Sequence, residues 1–171
     1  MHIVDALYLA FITLALCAAY FILIDFFPHF FVQEVTYPRR SPIFPLVCII
    51  LFSVVAYAIS YALPDPEIGN RILHISGGFA GFLMCFFAAR DSRVRINKFQ
   101  FFVLGALIVL ALGVANELLE FFLQEYAGII SVTTATDTWF DLMSNTIGIL
   151  IASTFLVPLY KGIAQKSSLR T

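Results

Sequence analysis

Five long apolar runs, separated by short polar interruptions, constrain this chain more than any other feature in it. They lie at about residues 6–27, 43–63, 72–89, 99–122 and 139–160. A transmembrane helix needs about 20 such residues. A segment inside lipid must also satisfy its own backbone hydrogen bonds, which leaves helices or a closed barrel. Continuous runs of this length predict helices, so the expected fold is all-α, a polytopic transmembrane bundle of five spans. Composition agrees: 61% of the 171 residues are hydrophobic and only 12% are charged, against about 25% in soluble domains. The expected environment and first partner is therefore the lipid bilayer. No basic tract interleaved with aromatic residues occurs, so nucleic acid is not an expected partner.

Several bland features complete the outline. Cys17, Cys48 and Cys85 each lie inside an apolar run, which suits small apolar side chains and not disulfides or a CxxC metal site. The start, Met1-His2-Ile3-Val4-Asp5, has no positive stretch, and the run after it is too long for a signal peptide, so it reads as an uncleaved first span. No internal repeat and no long linker divide the chain, and residues 1–171 read as one integral membrane domain.

Lysine and arginine set the expected orientation. Alternate loops of a five-span chain share a side. Arg39 and Arg40 precede the second span behind an aromatic stretch with Phe30, Phe31 and Tyr37. Arg90, Arg93, Arg95 and Lys98 join the third and fourth, and Lys161, Lys166 and Arg170 follow the fifth. All of these fall on one side; Arg71 alone falls on the other. The positive-inside rule then places the N-terminus out and the C-terminus in. The basic loop is a topology determinant that can also touch anionic lipid.

Against this background the fourth run carries an anomaly, Gly113-Val114-Ala115-Asn116-Glu117-Leu118-Leu119-Glu120. Glu117 and Glu120 are three apart and share a helical face. Each ionisable residue at mid-bilayer costs roughly 2.5–3.5 kcal/mol on insertion scales. Two on one face need a partner or a task. The topology supplies company at the same, outward-facing level: His74 in the first turn of the third span beside Arg71, and Asp141 and Asn145 opening the fifth. Asp137 and Glu125 are expected in the outer loop, and Asp5 and Asp25 near span ends. Asp137, Asp141, Asn145 and Gly148 step by four, four and three, one helical stripe. Gly77 and Gly81 form a small-xxx-small pair that lets another helix come close. Helices three, four and five are thus expected to surround a polar pocket, with one and two peripheral. The loop from Gln124 to Thr138, with Ile129, Ile130 and Val132 among threonines, reads either as a plain interfacial loop or as a lid.

This set of residues resembles a known pattern. His74, the Glu117-xx-Glu120 pair and Asp141-Leu142-Met143-Ser144-Asn145-Thr146-Ile147-Gly148 resemble the VanZ-like family of small polytopic membrane proteins. The same His, Glu-xx-Glu and Asp elements also resemble the YjdF-like family of bacterial inner-membrane proteins. The match covers about residues 70–155. VanZ-like proteins often carry an arginine or lysine in the loop before the last helix, and this chain has none there. The resemblance implies a membrane site in a multi-pass protein of the cell (inner, cytoplasmic) membrane of a bacterium or archaeon, and names no reaction.

The residues leave three readings open. In the first, a membrane-embedded site acts on or binds a lipid or lipid-linked headgroup. Glu117 and Glu120 are its acid–base pair, and repulsion between them in low dielectric leaves one holding a proton. His74 and Asp141 join them as catalytic residues, and Asn145, Arg71 and Asp137 bind substrate. In the second, the same carboxylates couple a small transporter to protons or cations. Five helices without a repeat are a small frame for alternating access, so this reading calls for a homo-oligomer. In the third, the cluster is interhelical glue in a structural or assembly protein. One histidine with carboxylates would suit magnesium, manganese or iron better than zinc. With no Glu-xx-His or His-Glu-xx-His pair, no metal and no cofactor are assigned. Ser76, Ser144 and Thr146 would be nucleophiles only with a base aimed at them; in membrane helices such hydroxyls usually bond back to the i−4 carbonyl.

Overall fold

The computed structural model describes residues 3–33, 41–128 and 135–161. They form five helices: α1 (Ile3–Phe30), α2 (Ile43–Ala62), α3 (Pro66–Asp91), α4 (Lys98–Ala127) and α5 (Ala135–Leu159). No strand occurs among the described residues, and all five helices are long and apolar enough to cross a membrane. Tyr37, Arg39, Arg40, Lys166 and Arg170, and the Ile129–Thr134 part of the loop read as a lid, lie outside the described residues.

α3 and α4 reach beyond their apolar runs because their ends are polar and capped. α3 begins at Pro66, well before Ile72. The Asp65 carboxylate accepts from the backbone N–H of Glu67 at 2.9 Å, and proline occupies a first-turn position where its missing donor costs nothing. α4 opens with a capping box. The Asn97 side chain accepts from Gln100 N at 2.8 Å, and Gln100 Oε1 accepts from Asn97 N at 2.9 Å. It closes on Gly128, whose φ of 68° is the left-handed cap that favours glycine. α5 begins at Ala135, one turn before Trp139. His74 and Asp141, expected in first turns, therefore sit about two turns inside their helices. Asp137 and Glu125, expected in a loop, lie in the first turn of α5 and the last of α4.

α3 is the centre of the bundle. Half of its most apolar window is buried, against 17% for α1, α2 and α4. It packs on all four other helices, most extensively on α5. α1 and α2 pack on each other and on α3, and α4 and α5 do likewise. The first two helices are therefore not peripheral. Their composition reads as lipid-facing because their outer faces are, with Leu14, Ile22, Val47 and Leu51 exposed. Their inner faces carry Tyr20, Leu23, Phe27 and Ile49 into the core.

Glycine makes the α3–α5 seam. A Cβ on Gly78 would strike the backbone carbonyl oxygen of Asn145, and one on Gly148 would strike that of Ile75. Only hydrogen fits at either place. The contact is thus one residue removed from the expected Gly77 pairing. Gly77 faces the Asn145 side chain at 3.5 Å, and Gly81 meets Val109 of α4.

Candidate functional site

The seam fixes a polar cluster at the end of the bundle where α3 and α5 begin. Asp141 is 1% exposed. Its Oδ1 accepts from Arg71 NH1 at 2.6 Å and from Asn70 Nδ2 at 3.0 Å. The other arm of Arg71 donates to Asp137 Oδ1 at 2.8 Å, and its guanidinium lies over the Phe140 ring at 4.7 Å. Arg71, expected with Asp137 as a substrate contact, thus ties α3 to Asp137 and Asp141 of α5.

The second oxygen of Asp141 points the other way. Oδ2 lies 3.5 Å from His74 Nε2, and His74 Nδ1 lies 3.9 Å from Glu117 Oε1. One imidazole therefore stands between two buried carboxylates drawn from α4 and α5. Asn145 brackets the ring, with Nδ2 3.4 Å from His74 Nδ1. The Glu117 side chain is 5% exposed, and neither of its carboxylate oxygens has a hydrogen-bond partner. Asn116 and Thr138 stand beside it without closing a bond of good geometry. Buried polar groups nearly always find partners, so this carboxylate is an exception that asks for a cause.

Glu120 is also buried, but its Oε1 accepts from Asn116 Nδ2 at 2.8 Å, one turn away on α4. The structure therefore groups His74, Glu117 and Asp141 in direct reach, with Glu120 one step removed. Glu125 is exposed in the final turn of α4. Thr146 donates to the Leu142 carbonyl at 2.8 Å, the i−4 bond expected of it.

A crevice of about 290 Å³ adjoins this cluster. Among the described residues the backbones of α1 and α4 do not come close, and the space between them is walled by Phe52, Ala56, Ala80, Val109, Leu112 and Leu119. Its polar lining includes His74, Asn116 and Asn145, so His74 borders the crevice and the carboxylates alike. Tyr57 and Ser53 of α2 line it too.

Sequence reasoning missed three features of this region. Asn70 lies one turn before His74 on α3, so the i, i+4 spacing could have placed it. The Asn116–Glu120 bond has the same spacing and was equally available. The crevice had no such signal, because it depends on α1 and α2 standing against α3.

At the opposite end of α3 a fourth buried carboxylate lies in the stretch read as the basic loop. Asp91 is 1% exposed. Arg90 Nε donates to its Oδ1 at 2.7 Å, while Arg90 NH2 at 3.1 Å and Tyr20 OH at 2.9 Å donate to Oδ2. Nearby Tyr160, just past α5, stacks on Phe101 at 4.4 Å and donates to the Val94 carbonyl. Burial pushes its phenol up to about 12.

Residues 13–162 match a family model described as a predicted membrane protein, DUF2238. No curated protein and no solved structure matches the chain. Of the two resemblances read from the motifs, the match supports the YjdF-like one and does not support the VanZ-like name. With most of its length matched and five spanning helices, the chain is a multi-pass membrane protein and belongs to the DUF2238 family of predicted membrane proteins.

Proposed function

We infer that the protein binds a lipid or lipid-linked molecule within the membrane and acts on its headgroup at His74. The crevice carries this reading. Its walls are apolar where a hydrocarbon chain would lie, and His74, Asn116 and Asn145 supply polar groups to its lining. A small number of polar groups in an apolar cleft is the arrangement that orients an amphipathic ligand. His74 and Glu117 stand at the reacting headgroup in this reading, which suits a hydrolytic or transfer step. Asp141 positions His74, Asn145 orients the headgroup, and Arg71, itself held by Asp137, fixes Asp141. The distribution of lysine and arginine supports an extracytoplasmic site, with the N-terminus out and the C-terminus in, in the cytoplasmic membrane.

The test is lipid retention. Parent protein, purified in detergent and washed, is expected to release a bound lipid in native mass spectrometry. Ala56→Phe and Ala80→Phe, which fill the crevice from α2 and α3, are expected to lose it while still eluting as a single species. Equal retention in the parent and both variants, or none in any, would overturn the reading.

A second reading, a proton- or cation-coupled carrier, draws on the excess of buried carboxylate beside His74. Solute movement in sealed vesicles, absent from protein in detergent, would favour it over the first.

A further inference from the structure

The acidic groups around His74 are out of balance. Asp137 and Asp141 share one guanidinium, that of Arg71, while Glu117 faces His74 and Glu120 bonds Asn116, and no other lysine or arginine among the described residues lies at this end of the bundle. Glu117 and Asp141 are both more than nine-tenths buried. Uncompensated charge in low dielectric is costly, so such a cluster must take up protons or a cation.

The geometry favours a cation. One potential ligand atom from each of His74, Glu117 and Asp141 lies within 4.8 Å of the other two. Around an ion bonded at about 2.0–2.2 Å, ligand atoms stand about 3.0–4.4 Å apart, so a small inward shift of side chains closes the set. The three ligands come from three helices, which is why no local motif announces them.

Two further observations point to an ion and not merely to a group of acids. The first is Glu117 itself, whose buried carboxylate has both oxygens unpartnered while Oε1 faces the His74 ring. The second is the support behind the other ligands. Asp141 Oδ1 is already held by Arg71 and Asn70, leaving Oδ2 to ligate. Such outer bonds are what orient metal-bound carboxylates. His74 has a longer contact of this kind with Asn145, at 3.4 Å. As placed, Asn145 Nδ2 faces His74 Nδ1, which leaves an Nε2 hydrogen directed at Asp141. A half-turn of that amide lets Oδ1 accept from Nδ1–H instead and frees the Nε2 lone pair for an ion.

We propose that His74, Glu117 and Asp141 form a divalent-cation site that takes a manganese- or iron-type ion. One imidazole with two carboxylates suits these ions, and a divalent charge neutralises the two carboxylates. His74 and Glu117 are then ligands and not proton carriers. The ion would polarise a phosphoryl or carbonyl oxygen of a headgroup presented from the crevice. The site stands on the cluster alone. Lipid retention reads the crevice, so failure of one proposal leaves the other to its own test.

The probe is Mn²⁺, titrated by electron paramagnetic resonance into full-length protein stripped with chelator in detergent. The parent is expected to bind one Mn²⁺ per chain. Glu117→Gln and His74→Gln are expected to weaken binding at least about tenfold, and Glu125→Gln, at an exposed carboxylate, to leave it unchanged. An electron spin echo of bound Mn²⁺ should carry the coupling of an imidazole nitrogen, a signature that needs no variant. No saturable binding by the parent, full affinity in both Glu117→Gln and His74→Gln, or bound Mn²⁺ without nitrogen coupling would each overturn the proposal.

Discussion

The two ends of α3 hold the same chemical pair in opposite states. Where α3 ends, Asp91 is buried, and Arg90 and Tyr20 occupy both of its oxygens. One carboxylate meets one guanidinium, and the group is finished. Where α3 begins, Arg71 spreads its two arms over Asp137 and Asp141, and Glu117 remains buried with no hydrogen bond. A satisfied ion pair in a helix bundle needs no explanation beyond packing. An unsatisfied carboxylate of comparable burial is a cost to the fold, and that cost is what the site proposed at His74 accounts for. A buried charge is thus not itself the sign of a site; the sign is a charge the fold leaves unanswered.

Substitutions that break the finished end should have the largest effect. Asp91→Ala leaves Arg90 partly buried without its partner and the Tyr20 hydroxyl without its acceptor. Breaking such a buried pair typically costs about 3–5 kcal/mol. The partial exposure of Arg90 brings the expectation to the lower end of that range, read as a fall in the thermal midpoint in detergent. Arg71→Gln comes next, at about 2–3 kcal/mol, because it removes the one cation shared by Asp137 and Asp141. If Arg71→Gln proved neutral, the carboxylate end would not depend on that pair, and the contrast between the ends would weaken. Tyr20→Phe is the smallest, at about 1 kcal/mol for one hydrogen bond, with packing against Phe21 retained. A Tyr20→Phe effect as large as that of Asp91→Ala would show that the hydroxyl, and not the arginine, completes the Asp91 group.

The contrast also explains what was readable from residues alone. Five helices were legible because apolar length is a strong signal in lipid. Their ends were not, because Asp65-Pro66 and the Thr136–Thr138 turn are polar and carry no hydropathy. Glu117, Asp141, His74 and Asn145 were legible as a group because each is costly in an apolar run and alternating topology puts them at one level. Their division of labour was not. Nothing in the spacing separates Glu117, which faces His74, from Glu120, which bonds Asn116. Asp91 was missed because a charge beside four basic residues looks solvated, and only the approach of Tyr20 from α1 makes it a core residue. The crevice was missed for the same reason, since α1 and α2 were judged by their lipid-facing residues and not by the inner faces they turn toward α3.

The measurement to make first is the thermal midpoint of Glu117→Gln in detergent and chelator, run beside the parent and Asp91→Ala. A buried carboxylate without partners should be no worse as a neutral amide, so the midpoint of Glu117→Gln is expected to equal or exceed that of the parent while Asp91→Ala falls. A fall in Glu117→Gln as large as that in Asp91→Ala would mean that both ends of α3 are structural. The account of a working site at His74 would then be wrong.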